Sequence, residues 1–294
     1  MQTRYLSYLC ISNQFVNMKT MKWLAALAVV LAAVSCGPKK EAPKVLVLYY
    51  SQSGNTKVLA ETIAASLKAD IEAIEAEVPY DGSYQETIAR SRQEREQNIL
   101  PACKPLAADL SKYDVIFLGY PIWFGTYALP VASWLNEVDL SGKKLVPFCT
   151  FGSGGLDASV KDLTAKQPGA TVLPGYGVRA ARMDAVPAEV DQFLKAGGFL
   201  KGKYVKLDEF PEQKPVTEEE AAIFAASIQD YPMMAGAKAA TVASRTIPGG
   251  TEYLFTAVPR PRGNDSAPDQ RIPDMKVYVT VLEGEAPVFT QVVR

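Results

Sequence analysis

Apolar runs and polar breaks alternate regularly through the middle of the chain. Residues 44–50 (Lys-Val-Leu-Val-Leu-Tyr-Tyr) form an uninterrupted run of strand length, the pattern of a parallel strand buried on both faces. After a polar loop, Val58, Leu59, Thr62, Ile63 and Leu67 recur at helical spacing. Residues 70–77 read as an edge strand and Pro79-Tyr80-Asp81-Gly82 as a turn. From 84 to 98 the chain is strongly polar and predicts an exposed helix. Residues 115–119 form another buried strand, and 130–136 a short helix with Pro130 in its first turn. A strand at 144–149, a helix at 156–165, a fifth strand at 170–173 and a closing helix at 187–196 follow, the last ended by Gly197-Gly198. Strands alternating with helices imply an α/β fold, a parallel sheet covered on both faces. Five such units imply the doubly wound order 2-1-3-4-5.

The periodicity then changes. Residues 197–216 carry little pattern and read as a linker. Thr217-Glu218-Glu219-Glu220 supplies a cap and first turn for a helix running to about residue 228. Four strand-like runs follow at 241–247, 251–258, 275–283 and 287–293. They are separated by Pro248-Gly249-Gly250, a long polar loop at 259–274, and Gly284-Glu285. A helix followed by an antiparallel meander predicts a small α+β domain over 217–294, behind the α/β domain of 44–196.

Ahead of both, the basic pair Lys19 and Lys22 precedes an apolar run too short for a span of ~20 residues. Small residues then lead into Cys36, so residues 1–35 read as an upstream extension and a signal peptide. Ala33-Val34-Ser35-Cys36 resembles a bacterial lipobox, with Ala33 where Leu is usual. The resemblance implies lipidation at Cys36, a flexible tether over 36–43, and membrane anchoring at the bacterial cell envelope.

Composition narrows the chemistry. Hydrophobic residues make up 48% and charged residues 21%, ordinary for a protein with a real core. Net charge is −1. The first 35 residues hold three basic side chains and no acid, leaving the remainder at −4 with no basic footprint for nucleic acid. There is no histidine, which excludes a Ser-His-Asp triad, a Cys-His pair and any His-ligated metal. A cofactor, a carboxylate, a tyrosine, a lysine or backbone dipoles must carry any reaction. Of the cysteines, Cys10 and Cys36 precede the body; Cys149 ends an apolar run and reads as core, while Cys103 is unassigned.

Three loops follow the central strands. Ser51-Gln52-Ser53-Gly54-Asn55-Thr56 lies between a buried strand and a helix, where hydroxyls, free amides and the helix dipole favour an anion. It lacks the lysine of a nucleoside-triphosphate loop and the G-x-G-x-x-G of a dinucleotide fold, so a phosphate monoester fits better. Pro121-Ile122-Trp123-Phe124-Gly125 is an aromatic cluster where this fold binds ligands, suited to stacking on a flat ring. In Thr150-Phe151-Gly152-Ser153-Gly154-Gly155 the glycines let amides approach a ligand edge. A phosphate site, an aromatic site and a glycine-rich site along one sheet edge match FMN.

On these motifs residues 44–196 resemble the flavodoxin family. Ser51–Thr56 is similar to its T-x-T-G-x-T phosphate loop. The segments 114–123 and 146–155 are similar to the ring-binding loops of one branch of it. Phe124 replaces the second Trp of P-I-W-W-G, and Phe151 and a shifted Ser153 depart from T-S-G-G-S-G. The resemblance implies bound FMN and electron transfer to a redox partner protein or small-molecule acceptor. An NAD(P)H-fed quinone or nitro-compound reductase is the alternative, and a scaffold acting through the C-terminal domain a third. Scarce NAD(P)H outside the cytoplasm favours the electron carrier. Arg90, Arg92 and Arg95 read as a solvated helix face. The C-terminal domain resembles a cystatin in its helix-plus-meander plan, but Arg245–Tyr253 lacks the glutamine of the cystatin wedge and carries Pro248.

Overall fold

The computed structural model describes residues 42–258 and 274–293. The segment read above as a signal peptide, Cys36, most of the expected tether and residues 259–273 lie outside the described residues.

The apolar runs form the core of the first sheet. Strands β1 (Val45–Tyr49), β2 (Asp70–Ala73), β3 (Val115–Trp123), β5 (Lys144–Phe151) and β6 (Thr171–Val172) lie parallel in the order β2-β1-β3-β5-β6, the expected 2-1-3-4-5. Alternate residues point to opposite faces. Leu46, Leu48, Ile116, Leu118 and Tyr120 pack against α3 (Leu129–Glu137) and α4 (Leu156–Lys166). Val47, Val115, Phe117, Val146 and Phe148 pack against α1 (Asn55–Leu67) and α5 (Val186–Ala196).

Several boundaries differ from the sequence reading. The fifth strand is two pieces: β6 pairs with Lys144–Leu145, while β7 (Tyr176–Arg179) pairs with Phe148–Phe151. Pro174 between them has no N–H for the ladder. Gly177 and Arg179 interrupt the apolar run, so β7 escapes the pattern. The second strand stops at Ala73, and beyond it only a bridge from Ala76 to Cys103 remains. β3 runs four residues past the expected end at 119, to Trp123, and turns back into β4 (Thr126–Tyr127), pairing Trp123 with Thr126. Phe124 and Gly125 make this turn at φ +52° and +89°, which suits a primed two-residue hairpin. Pro121 therefore lies in a strand, near the end of its ladder with β5.

Helix α2 (Tyr84–Glu96) starts with a full capping box, Ser83 with Glu86. Arg92 and Arg95 are exposed on it, but Arg90 is not part of a solvated face. Its guanidinium lies 3.8 Å from the Tyr80 ring centre, and it donates to Glu94 and to the carbonyls of Val78 and Pro79. It fastens the helix to the turn after β2.

The C-terminal sheet is antiparallel, in the order β12-β11-β10-β9-β8. It comprises β8 (Lys214–Pro215), β9 (Lys238–Ile247), β10 (Gly250–Val258), β11 (Met275–Leu282) and β12 (Val288–Val293). Helix α6 (Glu218–Ile228), capped by Thr217 and Glu220, buries Phe224 and Ile228 against Val242, Phe255, Val277 and Phe289. Just before β8, the Gln213 amide bridges strands by donating to Leu254 O and accepting from Thr241 and Thr256.

Gly119 lies under the Phe148 ring. A Cβ there would come 2.2 Å from two ring carbons. Gly119→Ala should therefore destabilise the α/β domain by about 1–3 kcal/mol through overpacking. Urea unfolding measured on the tyrosine and tryptophan signal checks this.

Candidate functional site

In this strand order, β1 and β3 are neighbours from which the chain departs in opposite directions. Their C-terminal ends border the crevice at the topological switch point, and β5 adds a third strand end beside them.

The first loop joins β1 to α1. The Ser51 hydroxyl accepts from the Gly54 amide at 3.2 Å and closes the turn. Gly54 holds φ +91°, a conformation that favours glycine. The first helical bond is Val58 N to Gly54 O. No side chain caps the helix, so the amides of Asn55, Thr56 and Lys57 lead it as free donors at the positive end of its dipole. Ser53 is exposed, whereas Thr56 is buried and shares a 2.9 Å hydrogen bond with Thr150. Of the two hydroxyls, Ser53 stands free while Thr56 ties the first loop to the third. Gln52 lies 3.4 Å from both Tyr80 O and Thr87 Oγ1. A cleft of about 410 Å³ opens here, lined by Tyr49, Tyr50, Ser51, Gln52, Gly54, Lys57 and, across from them, Ile74, Pro79 and Tyr80. Lys57 brings a cation that the hexapeptide itself lacks; its Nζ lies 3.8 Å from Glu61 on the exposed helix face.

The second element is the β3–β4 hairpin. Trp123 is half-buried and meets Tyr50 and Tyr80 edge to face, at 5.7 and 5.1 Å between ring centres. Pro121 and Ile122 are half-buried, while Phe124 and Gly125 are exposed at the tip. Thr126 Oγ1, just beyond the turn, is buried with no hydrogen-bond partner among the described residues. Tyr80 donates to Glu94. Burial raises the Tyr50 and Tyr80 phenols above their ordinary pKa, and the bond to Glu94 adds to the effect at Tyr80. Both stay neutral at physiological pH. Sequence reading missed this pair, because Tyr50 merges with the strand run and Tyr80 with a turn.

The third element begins inside β5. Thr150 and Phe151 are strand residues, and the Phe151 ring lies in the core rather than on a ligand face. Beyond them, Gly155 holds φ +123°, and a Cβ there would meet Ile122 Cγ2 at 2.7 Å, so the loop packs on the aromatic hairpin. Gly152 O accepts from Arg179 Nε at 2.9 Å, and Ser153 O from the Val292 amide at 2.7 Å. Cys103 and Cys149 are both free, and burial raises both thiols, so neither supplies a ready thiolate.

The fold and these three strand-end loops define a doubly wound α/β protein with a ligand crevice at its switch point. Residues 44–191 match the Flavodoxin family, and the chain belongs to it. A curated relative from Gluconacetobacter diazotrophicus, named NAD(P)H dehydrogenase (quinone), is 36% identical over 99 residues, which cover 32% of this chain and 46% of that protein. The chain thus spans about half the length of the curated relatives it matches. A crystal structure from Bacteroides eggerthii DSM 20697 aligns at 29% identity over 51% of this chain and 97% of that one, with a TM-score of 0.44. A Lactobacillus acidophilus flavoprotein solved in complex with FMN aligns at 28% identity over 47% of this chain and 93% of that one, with a TM-score of 0.42.

The Thr56–Thr150 bond is the direct link between the phosphate-type and glycine-rich loops. Thr150→Val keeps the shape but leaves the Thr56 hydroxyl buried without a partner. It should cost about 1–3 kcal/mol of stability, read as a lower urea midpoint with an unchanged slope.

Proposed function

We propose that the chain binds FMN across the ends of β1, β3 and β5 and serves as an electron-transfer flavoprotein at the cell envelope. The observation that carries this reading is the uncapped start of α1, which presents three amide donors and the Ser53 hydroxyl at the mouth of the switch-point crevice. The donor set suits a phosphate monoester: neutral amides and a hydroxyl, the helix dipole, and one lysine, Lys57, in the same first turn. The unpartnered Thr126 hydroxyl and the exposed hairpin tip fit a polar-edged flat ring beside them.

FMN, when bound, supplies one- and two-electron redox chemistry. The residues supply placement. The α1 amides and Ser53 hold the phosphate. Trp123, braced edge-on by Tyr50 and Tyr80, and Phe124 at the tip offer apolar area for the ring. The amides of Ser153 and Gly154 offer donors to its polar edge. No histidine is present to relay protons, and the nearby phenols stay neutral, which suits electron transfer more than acid–base catalysis.

A second reading, an FMN-dependent NAD(P)H:quinone reductase, is supported by the name of the curated relatives over about half their length. Anaerobic mixing with NADPH separates the two: rapid bleaching of bound flavin supports the reductase, and a stable oxidised spectrum supports the carrier. Envelope location rests on Cys36 as the lipid attachment point.

FMN should bind at least about a hundredfold tighter than riboflavin, since two or more charge-assisted hydrogen bonds are at stake. Ser53→Ala should weaken FMN about tenfold and leave riboflavin unchanged. Fluorescence titration checks both, and equal affinity for the two flavins would refute the phosphate assignment. For the anchor, Cys36→Ser should move the protein from the membrane to the soluble fraction on cell fractionation; full membrane retention would exclude this attachment point.

A further inference from the structure

We propose that the C-terminal domain completes the ring-binding face, with Arg179 and strand β12 aiming the amides of the Gly152–Gly155 loop, so that flavin binding and docking of that domain are coupled. This inference rests on the FMN reading above.

The contact is built from backbone and charge. Arg179 ends β7 in the α/β domain. Its Nε donates to Gly152 O at 2.9 Å and its Nη1 to Phe289 O, on β12, at 2.7 Å. Its guanidinium lies 4.2 Å from the Phe289 ring centre and 5.5 Å from that of Tyr231. One planar, forked cation therefore holds the glycine loop and the C-terminal sheet together, a task lysine cannot reproduce. The Val292 amide donates to Ser153 O at 2.7 Å. Gly154 is glycine for a reason in the same contact: a Cβ there would lie 2.0 Å from Val292 O.

Peptide planarity turns these bonds into an aiming device. In a trans peptide the N–H points opposite to the C=O. With Gly152 O held by Arg179, the Ser153 N–H points away from that bond. With Ser153 O held by Val292, the Gly154 N–H points away from β12. Neither amide donates to a backbone group among the described residues. On its other flank the loop abuts Ile122 of the aromatic hairpin, through Gly155. Arg179, itself tied to β12 through Phe289 O, and the Val292 amide of β12 thus fix two donors by holding the carbonyls behind them.

The rest of the boundary is equally committed. A cavity of about 30 Å³, room for one water, is lined by Tyr176, Arg182 and Glu189 from one domain and Glu252, Thr290 and Gln291 from the other. Arg182 pairs with Glu189 at 2.6 Å and Arg245 with Glu252 at 2.6 Å, all four largely buried. A buried ion pair from each domain beside so small a cavity is not left over from a loose tether, since separating the domains would rehydrate both. Coupling is reciprocal: whatever β12 adds to flavin affinity, flavin adds to docking.

The test uses the full-length protein. Arg179→Lys keeps the charge and loses the fork. Gly154→Ala leaves Arg179 intact and pushes β12 off the loop. Each should weaken FMN and riboflavin alike by about tenfold, the loss of one to two hydrogen bonds, leaving their ratio unchanged. Each should also lower the midpoint potential of bound FMN, because amides that would stabilise charge gathering on the reduced ring are misdirected, whereas a merely structural defect would leave the potential alone. In the wild type, adding FMN should slow hydrogen exchange in the 288–293 peptide, and in Arg179→Lys it should not. Near-UV circular dichroism of both variants reports that they are folded. Unchanged affinity and potential in the folded variants, or no FMN effect on exchange at 288–293 in a wild type that binds FMN, would overturn the coupling. A wild type that binds FMN and riboflavin equally would overturn the phosphate reading and leave the coupling standing if both flavins protect 288–293.

Discussion

Parallel pairing of β1 with β3 is the constraint on which everything else depends. Val45 to Tyr49 run in register with Val115 to Gly119, almost wholly out of water. Two such strands cannot be joined by a tight turn; the chain must cross over a face of the sheet each time. Because it leaves β1 toward β2 and returns to β3 on the other side, the two strand ends open side by side, and β5 extends the row. The site is a consequence of that reversal. Its donors are backbone amides that a buried parallel sheet exposes only at strand ends and helix starts.

Around this row the donors at the strand ends are mostly neutral. Phenols raised by burial, hydroxyls and amides line the cleft together with Lys57, Glu75, Asp81 and Lys104; Lys57 pairs with Glu61 and Lys104 with Glu75, and Arg90 behind them is held by Glu94 and the Tyr80 ring. A site of this kind favours a ligand that brings its own charge and its own reactivity. That suits a bound redox group and fits poorly with a chain that must itself donate and accept protons.

The C-terminal domain changes the meaning of the glycine-rich loop. In an isolated α/β domain its glycines would serve close approach to a ligand and the packing of Gly155 on Ile122. Here Gly154 also makes room for Val292 O, while Gly155 makes room for Ile122. The loop is held from two sides, by an element before it in the chain and by one nearly 140 residues after it. Gly152 differs from both: a Cβ there would meet nothing within 4 Å, and the residue stays open to solvent.

By itself, the sequence determined what is local or periodic. Apolar runs at 44–50, 115–119 and 144–149 marked the buried strands, because a strand covered on both faces admits almost nothing polar. Capping residues Thr217 and Glu220 marked α6, and the strand–loop–helix order marked the first loop. The order 2-1-3-4-5 followed, since crossover handedness leaves few alternatives. What depends on contacts between distant segments was decided only in three dimensions. Nothing near Thr56 announces Thr150, nothing near Trp123 announces Tyr50 and Tyr80, and Arg90 looked solvated until the turn at 78–80 folded onto it. Arg179 was invisible for a further reason: it ends a strand broken by Pro174, and its partners, Gly152 O and Phe289 O, are backbone carbonyls, which every residue carries and no side-chain pattern distinguishes.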